Sequence, residues 1–174
     1  EWHCIFGEQN GYMPKAGYFY FFEMQSRLWQ TLNEYPPYCL GLGTNDERAW
    51  STICGCEWQK LDWGRDHFWS LPTGAPEVGM LLEATRAKPL VVVGPPHLRH
   101  LKRDLKYAAF VDVPPKNAYV ALDHLVRETR ATLEDFKEPV LVTISAGVCA
   151  PLLVDELYKT DGHFHQLVDV GGLW

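Results

Sequence analysis

The sequence predicts an α/β domain with a Rossmann-like, mostly parallel sheet and helices on both faces. Three observations predict it. Leu90-Val91-Val92-Val93 and Val140 to Ile144 are continuous apolar runs, as expected of strands buried on both faces. Stretches with apolar residues at helical spacing alternate with these runs, at lengths that suit βαβ units. The junctions leading from strand to helix are short and built from Gly, Pro and Ser.

The elements follow in order. A helix is predicted from Tyr20 to Asn33, with Met24, Leu28, Trp29 and Leu32 on one face, and Pro36 and Pro37 stop it. Tyr38 to Leu42 reads as a short strand, Asp46 to Ile53 as a helix that Asn45 caps, and Phe68 to Leu71 as a strand. Pro72-Thr73-Gly74 then opens a helix through Leu81, Leu82 and Thr85. After the Leu90–Val93 strand, Gly94-Pro95-Pro96 leads into a helix carrying Leu98, Leu101 and Leu105. Ala109-Phe110-Val111 is another strand. Asn117 to Phe136 is the longest helix, with Tyr119, Leu122, Leu125, Val126 and Leu133 as its apolar stripe. Ser145-Ala146-Gly147 separates the Val140–Ile144 strand from a helix through Leu152, Leu153 and Leu157, and Gln166 to Val170 closes the pattern.

A chain of 174 residues with this alternation is expected to form one domain with a sizeable core. It begins at Glu1 and stops at Trp174 inside sequence with structural patterning, so it reads as trimmed at both ends. The net charge of −6 argues against general electrostatic binding of nucleic acid, which needs Lys and Arg to neutralise phosphates. Five scattered cysteines do not make a secreted disulfide framework, so a cytoplasmic setting is expected. No apolar run is long enough to cross a bilayer, and no membrane partner is expected.

Right-handed crossovers place successive strand-to-helix loops along one edge of a parallel sheet, where ligands of open α/β sheets bind. Three of these junctions, Thr73-Gly74, Gly94-Pro95 and Ser145-Ala146-Gly147, would let ligand approach backbone closely, and the helix starts favour phosphate. Tight-turn chemistry alone also selects such residues, and is the better account of any one of them; three on one edge point to a nucleotide-sized site. The dinucleotide GxGxxG pattern and the P-loop are both absent. Asp169 ends the last strand before Gly171-Gly172 and should lie near the same edge as a candidate catalytic carboxylate. Asp46 and Glu47 also follow a strand end, though charge at a helix start explains them. Arg99, His100, Lys102, Arg103 and Lys106 form a basic stretch after the Gly94 turn. Its first residues are in reach of a diphosphate, while most suit a solvated helix face. Cys54 and Cys56 are half of a thiolate zinc site at best, and His163 and His165 read as surface or loop residues. Ser145 lacks the glycine pattern of a nucleophile elbow.

Pro139-Val-Leu-Val-Thr-Ile-Ser-Ala-Gly147, followed by Val168-Asp169-Val170-Gly171, resembles the end of the GT-D-type glycosyltransferase domains. Val91-Val-Val-Gly94-Pro95, and later Val113-Pro114 with Asn117-Ala118-Tyr119, resemble bacterial and phage members of that family. The likeness covers about the last half of the chain well and the first half poorly, and it rests on the order and spacing of short motifs. It implies transfer of a sugar from a nucleotide-sugar donor to a hydroxyl acceptor and leaves a glycan, a protein and modified DNA open as that acceptor. It adds Asn117 and Gly171 to the donor-binding candidates. It also implies an Asp-Gly-Glu metal signature near the N-terminus, of which Glu1 would be the final residue, a ligand of Mn²⁺ or Mg²⁺. Two other readings share the fold: a non-catalytic nucleotide-binding module of a larger protein, and a Rossmann-like hydrolase or nucleoside-modifying enzyme.

Overall fold

In a computed structural model the described residues are 22–33, 76–161 and 164–171. They contain four strands, β1 (Leu90–Gly94), β2 (Ala109–Asp112), β3 (Leu141–Ile144) and β4 (Gln166–Asp169). These form one sheet in the order β2-β1-β3-β4, with every pairing parallel. The helices are α1 (Phe22–Asn33), α2 (Pro76–Ala87), α3 (Lys102–Leu105), α4 (Leu122–Glu134) and α5 (Ala150–Asp161). Three 3₁₀ turns, Pro96–Leu101, Ala118–Ala121 and Gly147–Cys149, lead into α3, α4 and α5. The strand predicted at 38–42, the helix at 46–53 and the strand at 68–71 lie outside the described residues.

The alternation of side chains along each strand divides the core in two. Val91, Val93, Val111, Val142 and Ile144 face one side, where they pack with Met24 and Leu28 of α1, Leu122, Leu125 and Leu133 of α4, and Leu152, Leu153 and Leu157 of α5. Leu90, Val92 and Leu141 face the other side, with Leu81 of α2, Tyr107 and the half-buried Leu101 and Leu105. Helices therefore cover both faces. The mostly apolar residues of β1 and β3, Thr143 being the polar exception, are what central strands under two helical layers require, and both strands are buried throughout.

The predicted stripe of the longest helix is present: Leu122, Leu125, Val126 and Leu133 are buried. That helix is α-helical only from Leu122. Its first residues, Ala118–Ala121, form a 3₁₀ turn behind Asn117, which has left-handed angles (φ 53°, ψ 43°). The helix after β1 also begins as 3₁₀, with Pro96 in its first turn, and α3 is only four residues long. Polar contacts fasten α1 onto α5: Arg27 Nη2 donates to Glu156 Oε1 at 2.8 Å, and Thr31 Oγ1 to Asp155 Oδ2 at 3.3 Å.

The crossovers fix where a crevice can open. The connection from β1 to β2 runs over the face of α2 and α3, whereas those from β2 to β3 and from β3 to β4 run over the face of α4 and α5. Reversing direction along the sheet while changing face is what right-handed crossovers demand. The loops after β1 and β3 therefore leave toward opposite faces, and the gap between them is the topological switch point of the sheet.

Candidate functional site at the carboxyl edge of the sheet

Strand register brings most of the predicted residues to one edge. Gly94 ends β1 opposite Asp112, the last residue of β2. Val93 pairs with Ile144 and Ile144 with Asp169, while the Ser145 N–H donates to Val93 O at 2.8 Å. The ends of all four strands, with Pro95, Asn117, Gly147 and Gly171 in the adjoining loops, thus share the carboxyl edge. Adjacent strands lie about 4.8 Å apart, so Asp112 and Asp169 bracket this edge at roughly 14 Å across the three spacings. Thr73, Gly74 and Glu1 lie outside the described residues.

The faces differ. By strand alternation Gly94, Asp112 and Ser145 belong to the α2/α3 side, and Asp169 belongs with Ile144 to the α4/α5 side. Asp169 Oδ1 accepts the Gly171 N–H at 2.9 Å, a local bond that shapes the turn after β4. Gly171 has φ 53°, so a backbone requirement accounts for glycine there.

Each small residue now has a physical reason. At Gly94 a Cβ would stand 2.8 Å from Leu98 Cδ1 and 3.6 Å from Ser145 Cβ. The space freed by the missing side chain is therefore taken by Leu98, which lets the 3₁₀ turn close down on β1; backbone exposure to a ligand does not account for it. Gly147 is exposed, has φ +56°, and has no atom within 4 Å of a would-be Cβ. Left-handed geometry there favours glycine by itself. Asn117 likewise occupies the left-handed region, which Asn tolerates better than most residues.

Ser145 is different. Its side chain is buried at the mouth of the edge, and among the described residues its Oγ has no hydrogen-bond partner. Two residues earlier on the same face of β3, Thr143 is fully buried with an equally unpartnered Oγ1. A buried hydroxyl without a partner costs about 1–3 kcal/mol, so each calls for an explanation.

Asp112 was not among the residues that sequence reasoning singled out. Its carboxylate receives Arg99 in a fork, with Nε to Oδ1 at 3.1 Å and Nη2 to Oδ2. The Arg99 guanidinium also lies 4.7 Å from the centroid of the Phe110 ring, and Tyr107 Oη donates to the Arg99 carbonyl at 3.1 Å. Hydrogen bonding to Asp112 raises the pKa of Arg99, so it stays charged. The signal was legible as an acidic residue directly after a strand. Much of the basic stretch is partnered locally: Lys102 Nζ bonds the Tyr107 carbonyl, and Arg103 pairs with Asp104 at 3.3 Å.

His165 lies at the amino end of the sheet, and Cys149 in the core behind the Gly147 turn. In the bend before β4, His165 is a half-buried loop residue, and its Nδ1 accepts the Val140 N–H at 3.3 Å at the amino end of β3. Cys149 is buried, which pushes its thiol up to about 12 and keeps it protonated. Among the described residues no group of three or more His, Cys, Asp and Glu side chains is placed to hold a metal, and no helix is long and apolar enough to cross a membrane.

No protein-family model matches the chain, and no curated protein sequence does. Two solved structures do match. One is the selenomethionine-substituted structure of domain of unknown function 1792, with a TM-score of 0.64 and 20% identity over 98% of this chain and 70% of that one. The other reports that this highly conserved domain has a distinct glycosyltransferase fold; its TM-score is 0.63, again at 20% identity, over 98% of this chain and 69% of that one. The chain shares that glycosyltransferase fold. At this identity the likeness shows fold alone, and it runs through the first half of the chain as well as the second.

Proposed function

We propose that this chain is a glycosyltransferase domain that binds a nucleotide-sugar donor at the carboxyl edge of its sheet and passes the sugar to a hydroxyl acceptor. The observation that carries the reading is the fold likeness over 98% of the chain to a domain with a distinct glycosyltransferase fold. The switch point between β1 and β3 supports it, because open α/β sheets bind ligands there. The unpartnered Ser145 hydroxyl supports it too, as a polar group at that crevice that a ligand would satisfy.

In this reading the donor lies across the strand ends, with Thr73, Gly74, Gly94, Pro95, Asn117, Ser145, Gly147 and Gly171 around it. Asp169 stands at the β4 end as the carboxylate that would accept the proton of the attacking hydroxyl. The acceptor oxygen attacks the anomeric carbon, the bond from that carbon to the diphosphate breaks, and the nucleoside diphosphate leaves with the bonding electrons. A divalent cation would neutralise the leaving diphosphate. Mg²⁺ and related ions are commonly held by one or two carboxylates with the remaining positions filled by phosphate oxygens and water. Glu1 would supply such a carboxylate, so a complete protein cage is not required.

The test is release of nucleoside diphosphate from a panel of UDP-, GDP- and ADP-sugars, with Mn²⁺ or Mg²⁺ and again with excess chelator. The proposal expects metal-dependent release from at least one donor, faster when a hydroxyl acceptor is present. Tight donor binding without any turnover would favour a non-catalytic nucleotide-binding module instead. Equal turnover with and without chelator would count against the metal.

A further inference from the structure

The geometry points to Asp112 as the residue that reads the ribose of the bound nucleotide, with Arg99 as its positioning residue. The inference rests on the carboxyl edge being a nucleotide site and says which part of the nucleotide lies where. Asp112 ends β2, and β2 lies beside β1 on the side away from β3. In the dinucleotide-binding class of doubly wound sheets, the ribose lies toward the end of this neighbouring strand, where an acidic side chain accepts its hydroxyls; the GxGxxG turn is absent here, but the placement of strands is the same. Asp112 occupies that place, in register with Gly94, and the pairing continues one residue further through the Val113 N–H to Gly94 O bond at 2.9 Å.

The carboxylate is built for such a role. Its side chain is 44% exposed, so it is reachable, yet it does not swing freely. Arg99 grips both oxygens in a fork and is itself fixed by the Phe110 ring and by the Tyr107 hydroxyl on its carbonyl. Each carboxylate oxygen has two acceptor sites and the fork uses one on each, so two remain for a vicinal diol. Arg99 serves a second purpose: in a chain of net charge −6 it offsets the repulsion that a bare carboxylate would exert on a nearby diphosphate. Asp169, at the opposite end of the edge and on the other face, is left for the acceptor side of the reaction.

The test measures binding of UDP, GDP and ADP and of their 2′-deoxy counterparts by calorimetry, with Mg²⁺ present, for the wild-type chain and for Asp112→Ala, Asp112→Asn and Arg99→Ala. One hydrogen bond to a charged acceptor corresponds to a discrimination of about tenfold or more. The wild type should therefore prefer the ribonucleotide it binds over its deoxy form by about tenfold. Asp112→Ala should bring that ratio close to one, weakening the ribonucleotide more than the deoxy form, which loses only the contact to its 3′-hydroxyl, and Asp112→Asn and Arg99→Ala should give intermediate ratios. A merely structural ion pair would lower both affinities together, or neither. Thermal melts identify any variant that fails to fold, and the exposed Asp112→Asn change keeps the comparison available. A wild-type ratio of one, or an unchanged ratio in Asp112→Ala, overturns the inference alone. Failure of the wild type to bind any nucleotide overturns both the inference and the reading of the edge.

Discussion

Removing the Ser145 hydroxyl should separate folding from binding. The Oγ is buried without a partner among the described residues, so the folded chain bears a desolvation cost that Ser145→Ala abolishes. The change also deletes one small polar atom from a site beside Gly94, where contacts are close. The two effects oppose each other, and the hydroxyl term of about 1–3 kcal/mol outweighs loss of a single atom's packing, which is a few tenths. Ser145→Ala should therefore be stabilising by about 1 kcal/mol or more. In a domain of this size each kcal/mol is a rise of roughly 2–4 °C in Tm. Donor affinity should move the other way, falling by about tenfold, because a hydrogen bond to a charged phosphate oxygen contributes about 1.5–3 kcal/mol. Thr143→Val is the control: its hydroxyl is equally unpartnered but lies one step deeper, below the edge. It should raise Tm and leave donor affinity alone. Melting curves and calorimetric titration of both variants suffice. A Ser145→Ala chain that melts well below wild type, or that binds donor as tightly, would refute the reasoning.

Three other outcomes follow from the same structure. Gly147 sits at φ +56° in open space, so substitution there is governed by backbone strain alone. Gly147→Asn should be nearly neutral, Gly147→Ala should cost about 1 kcal/mol and Gly147→Val about 2, read as successively lower Tm, and equal melting of the three would remove the strain argument. Cys149, held protonated by burial, should resist alkylation by iodoacetamide at pH 8 in the native chain and react on unfolding, so rapid native labelling would contradict its placement in the core. Leu125→Ala, fully buried in the first turn of α4, should lower stability by about 2–5 kcal/mol in urea titration, and a cost below about 1 kcal/mol would show that this layer is loosely packed.

Much of the fold was legible because its signals are local. Buried strands announce themselves as apolar runs, and Leu90–Val93 and Val140–Ile144 fall on β1 and β3 to within a residue. The stripe from Leu122 to Leu133 needed only helical periodicity. What sequence could not give was the order β2-β1-β3-β4, since crossover faces depend on which helix packs where. For the site, spacing carried Gly94, Ser145, Gly147 and Asp169 to the same edge, but the reasons for the glycines were not readable. Gly94 is small because Leu98 closes on it, a contact set by the 3₁₀ turn, and Gly147 because of a positive φ. Asp112 escaped notice because its partner is Arg99, thirteen residues away, and only folding brings the two together at the end of β2.

The central claim is that a nucleotide-sugar donor occupies the carboxyl edge at the β1/β3 switch point. Amide chemical-shift mapping of the labelled chain tests it most directly, titrating with the best-bound nucleoside diphosphate in the presence of Mg²⁺. Shifts should concentrate at Gly94, Asp112, Ser145, Gly147 and Asp169, the strand ends and loops of that edge, while Val140 and Gln166 at the amino edge stay still. Shifts centred on the amino edge around Val140 and His165, or a uniform response with no edge preferred, would contradict that claim.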